Sequence, residues 1–165
     1  MTTDLTPRTE DPGAPASGTR PLRVLAVDDD PDLLALTKRV LEADHGLYVE
    51  TASNALDACR VLRDRPVDCV VSDYRMPAVD GMDLLEVLRE EDDASPLPFV
   101  MFTNKGSADL ASRVRAAGLA DYVEKDRGLE RYAALAAAVR GVIEEKRAGG
   151  EGQRAGTPER TDKGQ

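Results

Sequence analysis

The chain's periodicity predicts one doubly wound α/β domain, a five-stranded parallel sheet with five helices. Five short apolar runs bounded by turn residues read as strands, and between them apolar residues recur at helical spacing. Strict strand–helix alternation calls for parallel strands joined by crossovers. The strand-like runs also end abruptly in polar residues, and open α/β sheets bind ligands outside the carboxyl ends of their strands.

In chain order, residues 1–21 carry Pro7, Pro12, Pro15 and Pro21 among threonine, glycine and alanine, and read as a disordered lead-in. Leu22 to Val27 is the first strand and ends in Asp28, Asp29 and Asp30. Asp30 caps a helix whose first position suits Pro31. Leu33, Leu34, Leu36, Val40 and Leu41 form its apolar stripe until His45 and Gly46 stop it. Leu47 to Thr51 makes a short second strand. Ser53 caps the next helix, with Ala55, Cys59 and Leu62 on one face and an end near Arg65 and Pro66. The third strand, Val67 to Val71, runs into Ser72 and Asp73. Pro77 breaks the pattern, and Asp80 caps a helix with Leu84, Leu85 and Leu88 inward and an acidic end from Glu90 to Asp93.

Pro96 and Pro98 lead into the fourth strand, Phe99 to Thr103. Ser107 caps a helix with Leu110, Val114 and Ala117 inward, and Gly118 stops it. The fifth strand, Asp121 to Lys125, is less apolar, as an edge would be. Leu129, Tyr132, Ala136, Val139 and Ile143 mark the longest helix. From about Arg147 the composition turns to glycine and charge, so residues 148–165 read as a second disordered tail, leaving a domain over 22–147.

The 165 residues carry a net charge of −9 with a pI near 4.7, which argues against nucleic acid as a direct partner. Cys59 and Cys69 match no metal spacing and make no disulfide framework; they read as core thiols of a reducing compartment. No signal-peptide core and no membrane-length apolar run is present, so the expectation is a cytoplasmic chain without a membrane partner.

Three strand ends hold unusual polar residues: Asp28 and Asp29 after the first, Asp73 after the third, and Thr103 closing the fourth. The fifth offers Lys125. Crowded carboxylates repel unless a cation neutralises them, and Mg²⁺ favours such oxygen ligands. A cation, an aspartate, a hydroxyl and an ammonium together compose a phosphoryl-transfer site.

The segments VLAVDDDP, VVSDYRMPAVDG, FVMFT and DYVEK, in this order and spacing, resemble the receiver domain of two-component response regulators, over roughly Leu22 to Arg147. The resemblance implies a flavodoxin-like, CheY-like fold and a single-domain response regulator. It makes Asp73 the phosphoacceptor that attacks a kinase phosphohistidine. Asp29 and Asp73 match the direct Mg²⁺ ligands, Asp28 acts through water, and the backbone carbonyl of Arg75 completes the set. Thr103 matches the switch hydroxyl, Lys125 the partner of the phosphoryl oxygens, and Tyr122 the switch aromatic. The implied partners are a histidine kinase or phosphotransfer protein, with a homodimer through the last helices. The implied role is a switch rather than an enzyme, one that promotes only its own phosphorylation and dephosphorylation. The FTNKGS segment is similar to receivers of halophilic archaea.

Two positions depart from the family pattern: Asp126 follows Lys125 where proline is usual, and Asn104 stands where a very small residue is preferred. In that family the side chains two places after the phosphoacceptor and the switch threonine border the path of the attacking water, and the resemblance places Arg75 and Lys105 there. Their donor-only groups imply slow self-dephosphorylation. A rival from another class is a Mg²⁺-dependent phosphohydrolase of the haloacid-dehalogenase type, since Asp28-Asp29-Asp30 after a strand also fits that D-x-D nucleophile with Asp28 as the attacking group. Which carboxylate becomes phosphorylated separates the two.

Overall fold

The computed structural model of the chain describes residues 20–91, 96–104, 107–125 and 128–156. Ten elements alternate: β1 Arg23–Val27, α1 Pro31–His45, β2 Tyr48–Ala52, α2 Ala55–Asp64, β3 Cys69–Ser72, α3 Gly81–Glu91, β4 Phe99–Thr103, α4 Ala108–Ala116, β5 Ala120–Glu124 and α5 Glu130–Gly156. All strand pairs are parallel, in the order β2-β1-β3-β4-β5. The chain steps outward from β1 to β2 and then back across to β3. That reversal opens a crevice above the carboxyl ends of β1 and β3, the place where such sheets take ligands.

Strand alternation divides the core in two. Val24, Ala26, Val71, Val100 and Phe102 face a cluster with Leu41 of α1 and Tyr132, Leu135 and Val139 of α5. Leu25, Val27, Val70, Phe99 and Met101 face the other side, against Ala58 of α2, Leu85 of α3 and Val114 of α4. A strand buried on both faces needs apolar residues at every position, which is why β3 and β4 read as unbroken runs.

Helix starts follow cap chemistry. Asp30 Oδ1 accepts the amides of Asp32 and Leu33 at 3.0 and 3.3 Å, and Gly46 closes α1 in the left-handed region at φ 67°. Asp80 and Asp83 cap α3 reciprocally, at 2.9 and 3.2 Å, and Ser107 Oγ accepts Leu110 N at 3.1 Å.

Four local expectations need correction. Asn54, rather than Ser53, caps α2: its Oδ1 accepts Asp57 N at 2.8 Å, because one residue nearer the helix its amide oxygen reaches the third amide. Leu129 is 59% exposed and precedes α5, whose buried face starts at Tyr132. Ala117 caps the carboxyl end of α4 and is exposed. Helix α5 continues through Gly156, past Arg147; glycines weaken a helix by about 1 kcal/mol each without forbidding it. The two tails read as disordered fall largely on 1–19 and 157–165, outside the described residues. Among the described residues no helix is long and apolar enough to cross a membrane.

Candidate functional site

Each site residue owes its position to a strand end. The amide of Asp28 donates to Ala52 O at 3.2 Å and that of Asp73 to Val27 O at 2.9 Å, so the sheet ladder carries on to both carboxylates. One oxygen each from Asp28, Asp29 and Asp73 lies within 4.8 Å of the others. Asp28 is buried, Asp73 partly buried and Asp29 exposed, which grades the cluster from floor to mouth.

Lys125 closes the floor. Its amide donates to Thr103 O at 3.2 Å, and its Nζ donates to Asp28 Oδ2 at 2.7 Å and stands 3.8 Å from Asp73 Oδ1. Its side chain is only 7% exposed. The other Asp28 oxygen accepts the amide of Asp30 at 3.0 Å, so both oxygens are engaged. Asp73 Oδ1 accepts the Tyr74 amide at 2.8 Å, and the buried Thr103 hydroxyl donates to the same carboxylate.

These neighbours pull the Asp73 carboxyl in opposite directions. Burial, the largest influence, raises its pKa, the Lys125 ammonium lowers it, and the Asp28 carboxylate raises it. The Thr103 and Tyr74 hydrogen bonds lower it, and the net shift is upward. A carboxylate held at some cost in a partly buried crevice beside an ammonium and a hydroxyl is chemically a nucleophile with electrophilic support. The donor set, three carboxylates offering oxygen only, suits a hard divalent cation.

The loop after Asp73 is shaped by two close approaches. The Gly81 amide donates to Tyr74 O at 2.8 Å, and a Cβ at Gly81 would strike Asp73 O and come within 2.7 Å of Met101 Sδ. Ala78, at φ 70°, sits at the centre of a γ-turn in which Val79 N donates to Pro77 O at 2.7 Å. The role of Gly81 was invisible in the sequence beyond its place in a D-G pair. Phe102 was missed as well: it reads as core, yet Lys125 Nζ lies 5.4 Å from its ring centroid.

Of the residues singled out from the sequence, Asp28, Asp29, Asp73, Thr103 and Lys125 converge. The Arg75 side chain is exposed and lines an open cavity of about 500 Å³ with Tyr74, Met76, Pro77 and Asp80. Tyr122 pairs with Met101 in the β4–β5 register and packs on the α2–α3–α4 side. Its hydroxyl is buried without a partner among the described residues, and burial followed by the Glu124 carboxylate raises its pKa. Lys105 and Asp126 lie outside the described residues.

Comparison with known proteins agrees with this geometry. The chain is 40% identical over 105 residues to the C4-dicarboxylate transport transcriptional regulatory protein DctD of Pseudomonas aeruginosa, covering 62% of this chain and 22% of that protein. It is 33% identical over 112 residues to a protein-glutamate methylesterase/protein-glutamine glutaminase of Rhodospirillum centenum, covering 67% of this chain and 28% of that one. It thus spans only about a quarter of the length of these relatives. Among solved structures, the non-phosphorylated HemR receiver domain from Leptospira biflexa superposes with a TM-score of 0.63 at 30% identity, over 74% of this chain and 94% of that one. Residues 24–137 match the response regulator receiver domain model, and the chain belongs to that family, the receiver domains of two-component response regulators.

Proposed function

We propose that this receiver accepts a phosphoryl group on Asp73 from the phosphohistidine of a histidine kinase or phosphotransfer protein, with Mg²⁺ as cofactor. The observation that carries the reading is the convergence of three carboxylates, a hydroxyl and an ammonium at one end of the sheet. An Asp73 oxygen forms the new bond to phosphorus while the phosphorus–nitrogen bond breaks. The imidazole nitrogen keeps the electron pair and takes up a proton. Bound Mg²⁺ would supply positive charge against the phosphoryl oxygens.

The remaining roles follow from donors and acceptors. Asp29 and Asp73 present oxygens for direct ligation, with the Arg75 carbonyl as a third protein ligand. Asp28 suits a water-bridged place, because its two oxygens already hold the Asp30 amide and Lys125. Lys125 needs only a short shift to meet a phosphoryl oxygen on Asp73, and Thr103 can turn its hydroxyl from the carboxylate to the new group. Tyr122 follows Thr103, its hydroxyl held by no partner among the described residues, and its ring changes position as populations shift. The readout lies on α4, β5 and α5, where a cytoplasmic protein target or a second copy docks.

Labelling of the full chain by acetyl phosphate, and by a phosphohistidine donor, tests the reading. Label should appear with Mg²⁺, disappear with chelator or with Asp73→Asn, and fall with Asp29→Ala while the fold persists. Undiminished labelling of Asp73→Asn would overturn it.

A further inference from the structure

We propose that the Phe102 ring, braced by Tyr132, is the seat that positions the Lys125 ammonium for the phosphoryl group; the role assigned to the lysine rests on the phosphotransfer proposed above. Four side chains stack in a row. Lys125 Nζ lies 5.4 Å from the Phe102 ring centroid, and the Phe102 and Tyr132 centroids are 5.9 Å apart with the rings tilted at 54°. The Arg131 guanidinium covers the Tyr132 ring at 4.9 Å. The Tyr132 hydroxyl accepts Arg131 Nη2 at 3.3 Å and lies 3.4 Å from Thr37 Oγ on α1. Phe102, Tyr132 and Thr37 are all buried, so the brace is anchored in the α1–α5 side of the core.

The ring answers a problem that the carboxylates leave open. An ammonium has three N–H donors on a flexible four-carbon stem. Asp28 and Asp73 stand 2.7 and 3.8 Å from it, and the ring lies within the ~6 Å over which an aromatic face attracts a cation. An aliphatic side chain in the ring's place would offer that charge no such attraction. The tilt against Tyr132 is the arrangement that ring quadrupoles favour over face-to-face stacking, and it holds Phe102 in place. Because the Lys125 amide is bonded to Thr103 O, the next residue along, backbone and ring fix both ends of the lysine. Position matters here: a misplacement of about 1 Å can cost about a hundredfold in rate.

The test varies the ring's charge distribution while keeping its shape. Mono-, di- and pentafluorophenylalanine placed at position 102 weaken the negative face stepwise with little change of volume. Labelling of Asp73 by acetyl phosphate in Mg²⁺ should slow at each step, in the maximal rate constant for labelling more than in the donor concentration at half-maximal rate. Phe102→Leu should lose about tenfold and Phe102→Tyr less than about twofold. In a Lys125→Ala background the dependence on fluorination should vanish. Rates indifferent to fluorination, or an equal dependence without Lys125, would overturn the proposal. If the parent chain takes no label, the phosphotransfer reading fails instead. The seat is then judged in the unphosphorylated chain by the upfield ring-current shift of the Lys125 ε-protons. A shift that Phe102→Leu removes supports it, and absence of the shift in the parent overturns it.

Discussion

Asp73 is held in tension. Its folded-state pKa lies above the usual 3.8, chiefly through burial, so the folded chain binds this proton more tightly than the unfolded chain does. For a raised carboxyl the sign is a penalty: ionisation of Asp73 costs folding stability above the folded-state pKa. That cost disappears once the pH falls below the unfolded-state value. In metal-free buffer Asp73→Asn should therefore melt above the parent at about pH 7, with the gap closing toward about pH 3. A variant melting below the parent at neutral pH would show that Lys125 outweighs burial. Gly81 makes the opposite case, since any side chain there meets Asp73 O and Met101 Sδ. Gly81→Ala should cost about 1–3 kcal/mol in urea denaturation, as other overpacked sites do; an unchanged midpoint would mean that the loop yields freely.

Elements are held in place by side chains far apart in sequence. Arg89 of α3 donates to Leu97 O before β4 at 2.8 Å and to Gly118 O and Leu119 O after α4 at 2.8 and 3.3 Å. These are neutral acceptors, and burial lowers the guanidinium pKa. Arg89→Met keeps the apolar stem and strands three carbonyls, so the urea midpoint should fall by an amount worth about 2–3 kcal/mol. A loss under about 0.5 kcal/mol would show that water replaces the guanidinium. At the β2 edge, Lys38 Nζ donates to Val49 O at 2.8 Å and Glu42 accepts Val49 N at 3.0 Å, blocking the outward ladder. None of these ties was legible in the sequence, because each joins residues seven to thirty positions apart that only the fold brings together. The strands and most caps were legible, because they depend on local periodicity and on residues three positions apart. Ser53 and Leu129 misled for the same reason: either could serve locally, and tertiary placement chose otherwise.

At the scale of the molecule, the strand order turns local patterns into a site. Polar residues closing four separate runs meet only because β1, β3, β4 and β5 lie side by side and point the same way. The convergence of Asp28, Asp73, Thr103 and Lys125 could be read from the order of those runs, whereas the engagement of both Asp28 oxygens could not. The account's central claim is that Asp73, and no other carboxylate, carries the phosphoryl group. An acyl phosphate is reduced by borohydride to the alcohol, so an aspartyl phosphate becomes homoserine at its own position. The full chain, phosphorylated in Mg²⁺, reduced and mapped by peptide mass spectrometry, should contain homoserine at position 73 alone. Homoserine at position 28, as the phosphohydrolase reading requires, or at neither position in a chain that has taken up label, would contradict the account.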